Sequence, residues 1–444
     1  MMKTAVLHQF EEHTPLSQSL IWQWQKHFYL QESHDIWPHV PHWVSSNRLQ
    51  AKHYASLCCG IMKDLELTRA NAPSLTIIEL GAGHGMLSSH LIECLKNAKQ
   101  QQHLSEAKTR HILCDINPCH INSWQRIVKQ QQLTTQEIDF VITDLNRPQR
   151  ATCHYSKLSF MEILKQGPCV VIAHYAMDSL PCDMYAKDEH GHPYRLTLST
   201  QTDASNCLHH QQPRDLQQVT WDYRKEHLHT LPYDNEILNQ QLRAHLDDLA
   251  PNHCTLFPCA AIRLVDWITQ TAQNGLMLCV QDLHQNDLRQ PPQVKIVGNG
   301  FYFATNLTAL QRFCQEQHQH EVFTSEQPKT CQALLMWRHS NGALGPSALA
   351  ATKNLLHNNT RVNLSNAIDF FDGHHDPTQL SVATIAALED DPLFALRMLT
   401  QLLETPNADH ALMQRLLQNL DRHQHHLLDR SPVNICMALC YQAT

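Results

Sequence analysis

Several signatures that would assign a chain quickly are missing from this one. None of the 16 cysteines forms a Cys-x-x-Cys pair, and none of the 33 histidines belongs to a His-Glu-x-x-His motif. Those absences remove the usual zinc and redox patterns, so no metal site is expected. His423, His425 and His426 read instead as the solvated side of a polar helix. Basic charge is not in excess: 34 Lys and Arg face 42 Asp and Glu, a formal net charge of -8. A nucleic-acid partner is therefore not expected. No stretch approaches the roughly 18 apolar residues of a membrane span, so no membrane partner is expected either. The opening "MMKTAVLHQFEEH" lacks the apolar run of a signal peptide. Scattered thiols without such a signal point to the reducing cytoplasm.

What is present is globular. Hydrophobic residues make up 42% and charged residues 17%. A length of 444 residues exceeds one ordinary core and predicts two or three domains. "LSQSLIWQWQKHFYLQE" (16–32) has the spacing of an amphipathic helix, and Ser45, Ser46 and Asn47 are N-cap candidates for a second. From Leu75 short apolar strands alternate with helical stretches: "LTIIEL", "RHILCDI", "IDFVITD", "CVVIAHY" (with a helix expected from Asp178), "GLMLCVQD" and "ALLMWRH". That alternation predicts an α/β fold, a mostly parallel sheet with helices on both faces. Residues from about 194 to 259 are less regular and read as an insert or lid. After "SNGALGPS" short helical segments follow, among them "LSNAIDFFDG" and "ADHALMQRLLQNLDRH". The expected organisation is a helical segment over 1–74, a catalytic domain over 75–340 and a helical, repeat-like domain over 341–444. The last is expected to serve as a packed cap or as a surface for a protein partner or protein substrate.

The most informative stretch is "TIIELGAGHGMLSSHL", from Thr76 to Leu91. It turns a strand into a helix through Gly81, Gly83 and Gly85. Glycine there admits positive φ and close approach of a ligand to the backbone. A dinucleotide pyrophosphate would favour such a turn, but Glu79 two residues ahead of it would repel one. The acid suits S-adenosyl-L-methionine, whose ammonium and sulfonium are cations. Asp115 at the second strand tip can take both ribose hydroxyls. Asp144 at the third can accept from the adenine amino group, while the Leu145 backbone N–H meets a ring nitrogen. This is the pattern of a Rossmann-like class I methyltransferase sheet. A nicotinamide-dependent oxidoreductase is the rival that Glu79 argues against. A second rival is an interaction protein whose helical tail carries the function.

The fourth strand and its exit, "VVIAHYAMDSLPCDMYAKD" (170–188), should adjoin the first strand at the topological switch point. This stretch resembles the Ala-Asn-Glu-Phe-Phe-Asp-Ala-Leu-Pro motif of the MidA-like methyltransferases, with matches at Ala173, Asp178, Leu180 and Pro181. "WVSSNRLQAKHYASL" resembles that family's upstream Thr-Ser-Pro segment. A closer resemblance is to a bacterial branch with a helical-repeat tail, carried by "IWQWQKHFYLQ", "VPHWVSSNRLQAKHYA", "IAHYAMDSLPCDMY" and "NGFYFATNLTAL". The resemblance implies a class I fold and methyl transfer from S-adenosyl-L-methionine. The MidA-like family includes a mitochondrial complex I assembly factor that methylates arginine. The family's Asn and Glu positions carry His174 and Tyr175 here. Tyrosine offers one hydroxyl and no charge to a guanidinium, so this branch implies a different acceptor. An imidazole titrates near neutrality, which makes His174 the expected general base. Tyr175 would orient the acceptor, and Asp178 supplies a nearby carboxylate.

Overall fold

The computed structural model describes residues 7–30, 46–209, 212–284, 289–291, 294–297, 300–318, 321–325, 331–339, 342–361, 380, 382–388, 390–403 and 409–423. Ser45, the segment 364–373, His425 and His426 lie outside them. The strands in chain order are β1 (Leu7–Pro15), β2 (Leu75–Leu80), β3 (Thr109–Asp115), β4 (Ile138–Ile142), β5 (Cys169–His174), β6 (Asp183–Lys187), β7 (Pro193–Asp203), β8 (Cys207–His209), β9 (Gln212–Pro213), β10 (Thr220–His227), β11 (Cys254–Phe257), β12 (Leu276–Leu283), β13 (Lys295–Val297), β14 (Gly300–Tyr302), β15 (Glu321–Thr324) and β16 (Cys331–Arg338). The helices are α1 (Ile21–Leu30), α2 (Arg48–Asp64), α3 (Met86–Gln101), α4 (His120–Gln131), α5 (Phe160–Lys165), α6 (Glu236–Asp248), α7 (Cys259–Thr271), α8 (Leu307–His318), α9 (Pro346–Arg361), α10 (Val382–Leu388), α11 (Pro392–Leu403) and α12 (His410–His423).

Seven strands form the central sheet in the order β15-β16-β12-β5-β2-β3-β4. β2, β3, β4, β5 and β12 are mutually parallel, and β16 runs antiparallel to β12. Every residue of β2 and β5 is buried, as expected of strands covered on both faces. β5 shows how the alternation divides the core. Val171 and Ala173 enter a cluster with α5, α6, α7 and α8, while Val170 and Ile172 enter another with α2, α3 and α9. The chain moves from β2 outward through β3 and β4, then returns to place β5 on the other side of β2. That reversal is the switch point, and the glycine turn sits on it.

Three expectations change. The region read as an irregular insert builds a second, antiparallel sheet. β7 takes β10 along one edge and β6, then β1, along the other, and β11 pairs β6. Its inward positions include Thr200 and Thr202, whose hydroxyls weaken the apolar alternation of Tyr194, Leu196 and Leu198. The N-terminal region is likewise not all helical, because β1 joins this sheet before a short turn leads into α1. No helix starts at Asp178; the chain passes Pro181 and enters β6, since proline lacks the N–H a helix interior needs.

The expected boundary near 341 falls just ahead of α9, which packs into the core of the central sheet. Ala348 and Leu355 are buried against α2, and Asp64 accepts from the N–H groups of Ser347 (3.2 Å) and Ala348 (2.7 Å). A Cβ on Gly60 would stand 2.8 Å from the Ala348 backbone, so the two helices touch through glycine. A chain ended at Leu344 should therefore melt well below one ended at 361. The loss should be at least the roughly 2–5 kcal/mol of one buried leucine. Equal thermal midpoints would show that α9 adds nothing to the core.

The remaining helices, α10, α11 and α12, form their own cluster around Phe394, Leu399 and Leu416, with Leu49 and Tyr175 packed against it. Asp391 caps α11 through the Phe394 N–H (2.9 Å) and also accepts the Arg48 N–H (2.7 Å). The Arg48 guanidinium bridges Glu93 (2.6 Å) and Asp390 (3.4 Å). The tail is thus docked at the start of α2. No helix among the described residues is long and apolar enough to cross a membrane.

Candidate functional site

The turn after β2 places Gly81, Gly83 and Gly85 at φ of 71°, 52° and 85°, all in the left-handed region. A Cβ on Gly85 would approach Trp124 and Ile127 within 2.8 Å, so the turn lies directly under α4. Trp124 Nε1 donates to the Gly83 carbonyl at 2.9 Å. The Gly83 N–H donates to Asp115 at 2.8 Å, and Asp115 also takes the Asn117 N–H at 2.9 Å. The tips of β2 and β3 are thereby tied together.

Glu79 is buried beneath the turn and accepts the Ser88 hydroxyl from the first turn of α3. Burial pushes its carboxyl up to about 7. Asp144, at the tip of β4, behaves oppositely. Burial alone would raise it, but Lys26 Nζ at 2.9 Å and the Asn146 N–H at 3.0 Å prevail and hold it below the usual range. The Leu145 side chain is partly buried against the core cluster of α5 to α8. Since β5, β2, β3 and β4 are neighbours, Glu79, Asp115, Asp144 and Asp178 lie in a row at one edge of the sheet.

The β5 exit departs from expectation. His174 is buried among packing partners, with Tyr54 at 6.2 Å and Tyr175 at 5.3 Å between ring centroids. Among the described residues neither ring nitrogen has a hydrogen-bond partner, and burial pushes the imidazole down to about 3. His174 is therefore neutral at physiological pH and does not titrate near neutrality as the sequence suggested. Tyr175 has a φ of 52°, donates its N–H to the Gln281 carbonyl at 2.8 Å, and packs its side chain toward the C-terminal helices.

Asp178 occupies the more chemical position. It is buried beside Asp282 at the end of β12, and Asp282 accepts the N–H groups of Met177 (2.8 Å) and Asp178 (3.1 Å). Burial raises both carboxyls well above the ordinary range, and their mutual repulsion raises Asp282 further. Two acids so placed titrate as a unit that retains a proton. Tyr29 of α1 completes the group. Its carbonyl accepts from Asn117 Nδ2 at 2.8 Å, its hydroxyl bonds Ser179, and burial followed by the Asp178 charge raises its phenol. Asp282 could have been found in the sequence, because it is a strand-tip acid like the other three. Lys26 and Tyr29 carried no signal beyond their place on an amphipathic helix.

This donor set fits S-adenosyl-L-methionine. Glu79 can meet an ammonium, Asp115 a pair of ribose hydroxyls and Asp144 an amino group. Residues 55–326 match the model of a family described as "Putative S-adenosyl-L-methionine-dependent methyltransferase". The chain belongs to that family. Its fold is the Rossmann-like class I methyltransferase fold, and the family's cofactor is S-adenosyl-L-methionine. No functionally curated protein matches. Among solved structures, an uncharacterised protein of Burkholderia thailandensis shows 11% identity and a TM-score of 0.45, covering 75% of this chain and 89% of its own. A second superfamily member from that organism, solved with S-adenosyl-homocysteine, shows 11% identity and a TM-score of 0.42, covering 69% and 80%. Magnesium protoporphyrin IX methyltransferase of Synechocystis PCC 6803 with bound S-adenosylmethionine shows 10% identity and a TM-score of 0.29, covering 71% and 90%. These likenesses are distant, and the assignment rests on the family match.

A cavity of about 490 Å³ opens at the other end of the strands, beside Thr76 and Arg110. Arg110 there is ion-paired with Asp139 at 3.0 Å, and none of the strand-tip acids lines that cavity.

Proposed function

We propose that this methyltransferase is catalytically active and that Asp178, paired with Asp282, takes the proton of the methyl acceptor. The observation that carries the reading is the row of strand-tip acids around the glycine turn, with this buried pair one strand away. S-adenosyl-L-methionine supplies an electrophilic methyl on a sulfonium. The chain's own residues bind, orient and desolvate. Glu79 meets the ammonium, Asp115 and Asp144 hold the nucleoside, and Lys26 keeps Asp144 ionised. The carboxyl pair, raised toward neutrality, is better matched to accepting a proton than a histidine held near 3. His174 is then a packing residue that shapes the strand end. Tyr29, kept protonated, offers a hydroxyl to the acceptor.

A second reading draws on the docking of α10 to α12 against Tyr175 and Leu49. In it the protein is an interaction scaffold that retains its cofactor site and binds a protein partner through those helices. Incubating cell extract with methyl-labelled S-adenosyl-L-methionine, with and without the protein, separates the two. An active enzyme labels an acceptor, which mass then classes as protein side chain or small molecule. No protein-dependent label in any fraction would favour the scaffold.

Placing an ammonium on Glu79 has a pH consequence. With its carboxyl raised to about 7, Glu79 binds its proton more tightly folded than unfolded. Its contribution to stability is present below the ordinary carboxylate value and is lost as pH rises through about 7. A cationic ligand reverses the preference and must expel that proton. Cofactor affinity should therefore fall about tenfold per pH unit below the free-state value and level off above it. Calorimetry from acid to mildly alkaline pH measures this, and Glu79→Gln should flatten the profile. A flat profile in the unaltered protein would remove the ammonium from Glu79.

A further inference from the structure

A cavity of about 630 Å³ lies between the central sheet and the antiparallel one, within the range of small-molecule sites. Its walls come from the loop after β4 (Leu145 to Gln149), the β5 exit at Pro181, the second sheet and α7. Leu145 and Pro181 follow directly on the segments that carry Asp144 and Asp178, so this space adjoins the row of acids.

Its charges are unevenly spent. Arg195 is held by Glu226 at 2.7 Å. Asp183 is saturated from within: it accepts the Ser17 N–H and hydroxyl, each at 2.9 Å, and the Tyr233 hydroxyl at 2.7 Å. The Tyr185 hydroxyl joins that of Tyr233 at 2.9 Å, which fixes the floor. Two guanidiniums remain. Arg147 and Arg263 are exposed and make no ion pair among the described residues. Arg263 lies 5.8 Å from the centroid of the Tyr233 ring, and Trp267 stands one helical turn farther along α7. Exposed Asp234 is the opposing charge at the rim. Two unpaired arginines, one of them over an aromatic ring, match an anionic group on a planar body, because a guanidinium can bond a carboxylate or phosphate with two parallel N–H groups and a ring can stack on it.

We propose that this cleft binds the methyl acceptor, and that it recognises a carboxylate- or phosphate-bearing aromatic molecule through Arg147 and Arg263. The assignment as acceptor site rests on the proposed methyl transfer; the anion site itself does not. Phenyl phosphate, benzoate and benzylamine are the probes, titrated calorimetrically into the full chain. At least one of the two anions should bind saturably, and the stronger identifies the headgroup. Benzylamine should not bind. Arg147→Gln with Arg263→Gln should weaken anion binding about tenfold or more. Binding of S-adenosyl-homocysteine should stay within twofold, which also shows that the variant is folded. Asp234→Asn should tighten anion binding several-fold by removing a like charge. No binding of either anion, equal binding of benzylamine, or indifference to the paired arginine change would overturn the anion site. Anion binding by a protein that transfers no methyl would leave the site standing and remove its role for an acceptor.

Discussion

Gly83→Val should abolish measurable binding of S-adenosyl-homocysteine, a loss of at least about 100-fold. Two effects act together. At a φ of 52° a β-branched residue is strained, at a cost on the order of 1–2 kcal/mol. The side chain also enters the space where a ligand approaches the turn. The strain propagates, because the Gly83 N–H is the bond to Asp115 and its carbonyl takes the Trp124 indole. Shifting this one residue therefore disturbs the Asp115 and α4 contacts at once. Circular dichroism should show a folded chain, since the two main core clusters do not include the turn. Gly83→Ala should lose less, roughly tenfold, because alanine tolerates the left-handed region better than valine. A folded valine variant that binds normally would mean the turn is not the site.

The other large effect is expected at Asp178. Asp178→Asn keeps the size and much of the hydrogen bonding of the side chain but removes its ability to take a proton. Methyl incorporation should fall by roughly 100-fold or more, the usual size of a general-base contribution. Cofactor affinity should stay within several-fold, because Glu79, Asp115 and the glycine turn lie on other strands. His174→Ala is the comparison. It should lower the melting temperature by opening a cavity beside Tyr54 and slow transfer far less. The reverse outcome, a silent Asp178→Asn and an inactive, stable His174→Ala, would restore histidine to the mechanism.

The row of strand-tip acids was legible in the sequence because those residues sit where the topology alone puts them. A strand tip is recognisable from an apolar run that ends in an acid, and Glu79, Asp115 and Asp144 each end one. Parallel order then makes them neighbours, without knowledge of any side-chain contact. His174 and Asp178 differ on this point. His174 ends β5 and Asp178 follows it, but one turns into packing beside Tyr54 and the other toward Asp282 on the neighbouring strand. Burial on one side and a second carboxyl on the other decide their chemistry, and neither is written locally. Lys26 and Tyr29 come from a helix more than a hundred residues before Asp144 in the chain, and only tertiary docking brings them in. The second sheet was missed because threonines, Thr200 and Thr202, fill two of the inward positions of β7. The role of α9 was missed because the composition shift near Gly342 marks a change of secondary structure, not the edge of the core.

The glycine turn and its three acids should bind S-adenosyl-L-methionine and exclude a dinucleotide. Calorimetric titration of the full chain at mildly alkaline pH, with S-adenosyl-homocysteine in one series and NAD in another, tests it most directly. One saturable site of roughly micromolar affinity, worth about 8 kcal/mol, is expected for the first, and no saturable heat for the second. Saturable binding of NAD with no response to S-adenosyl-homocysteine would contradict it.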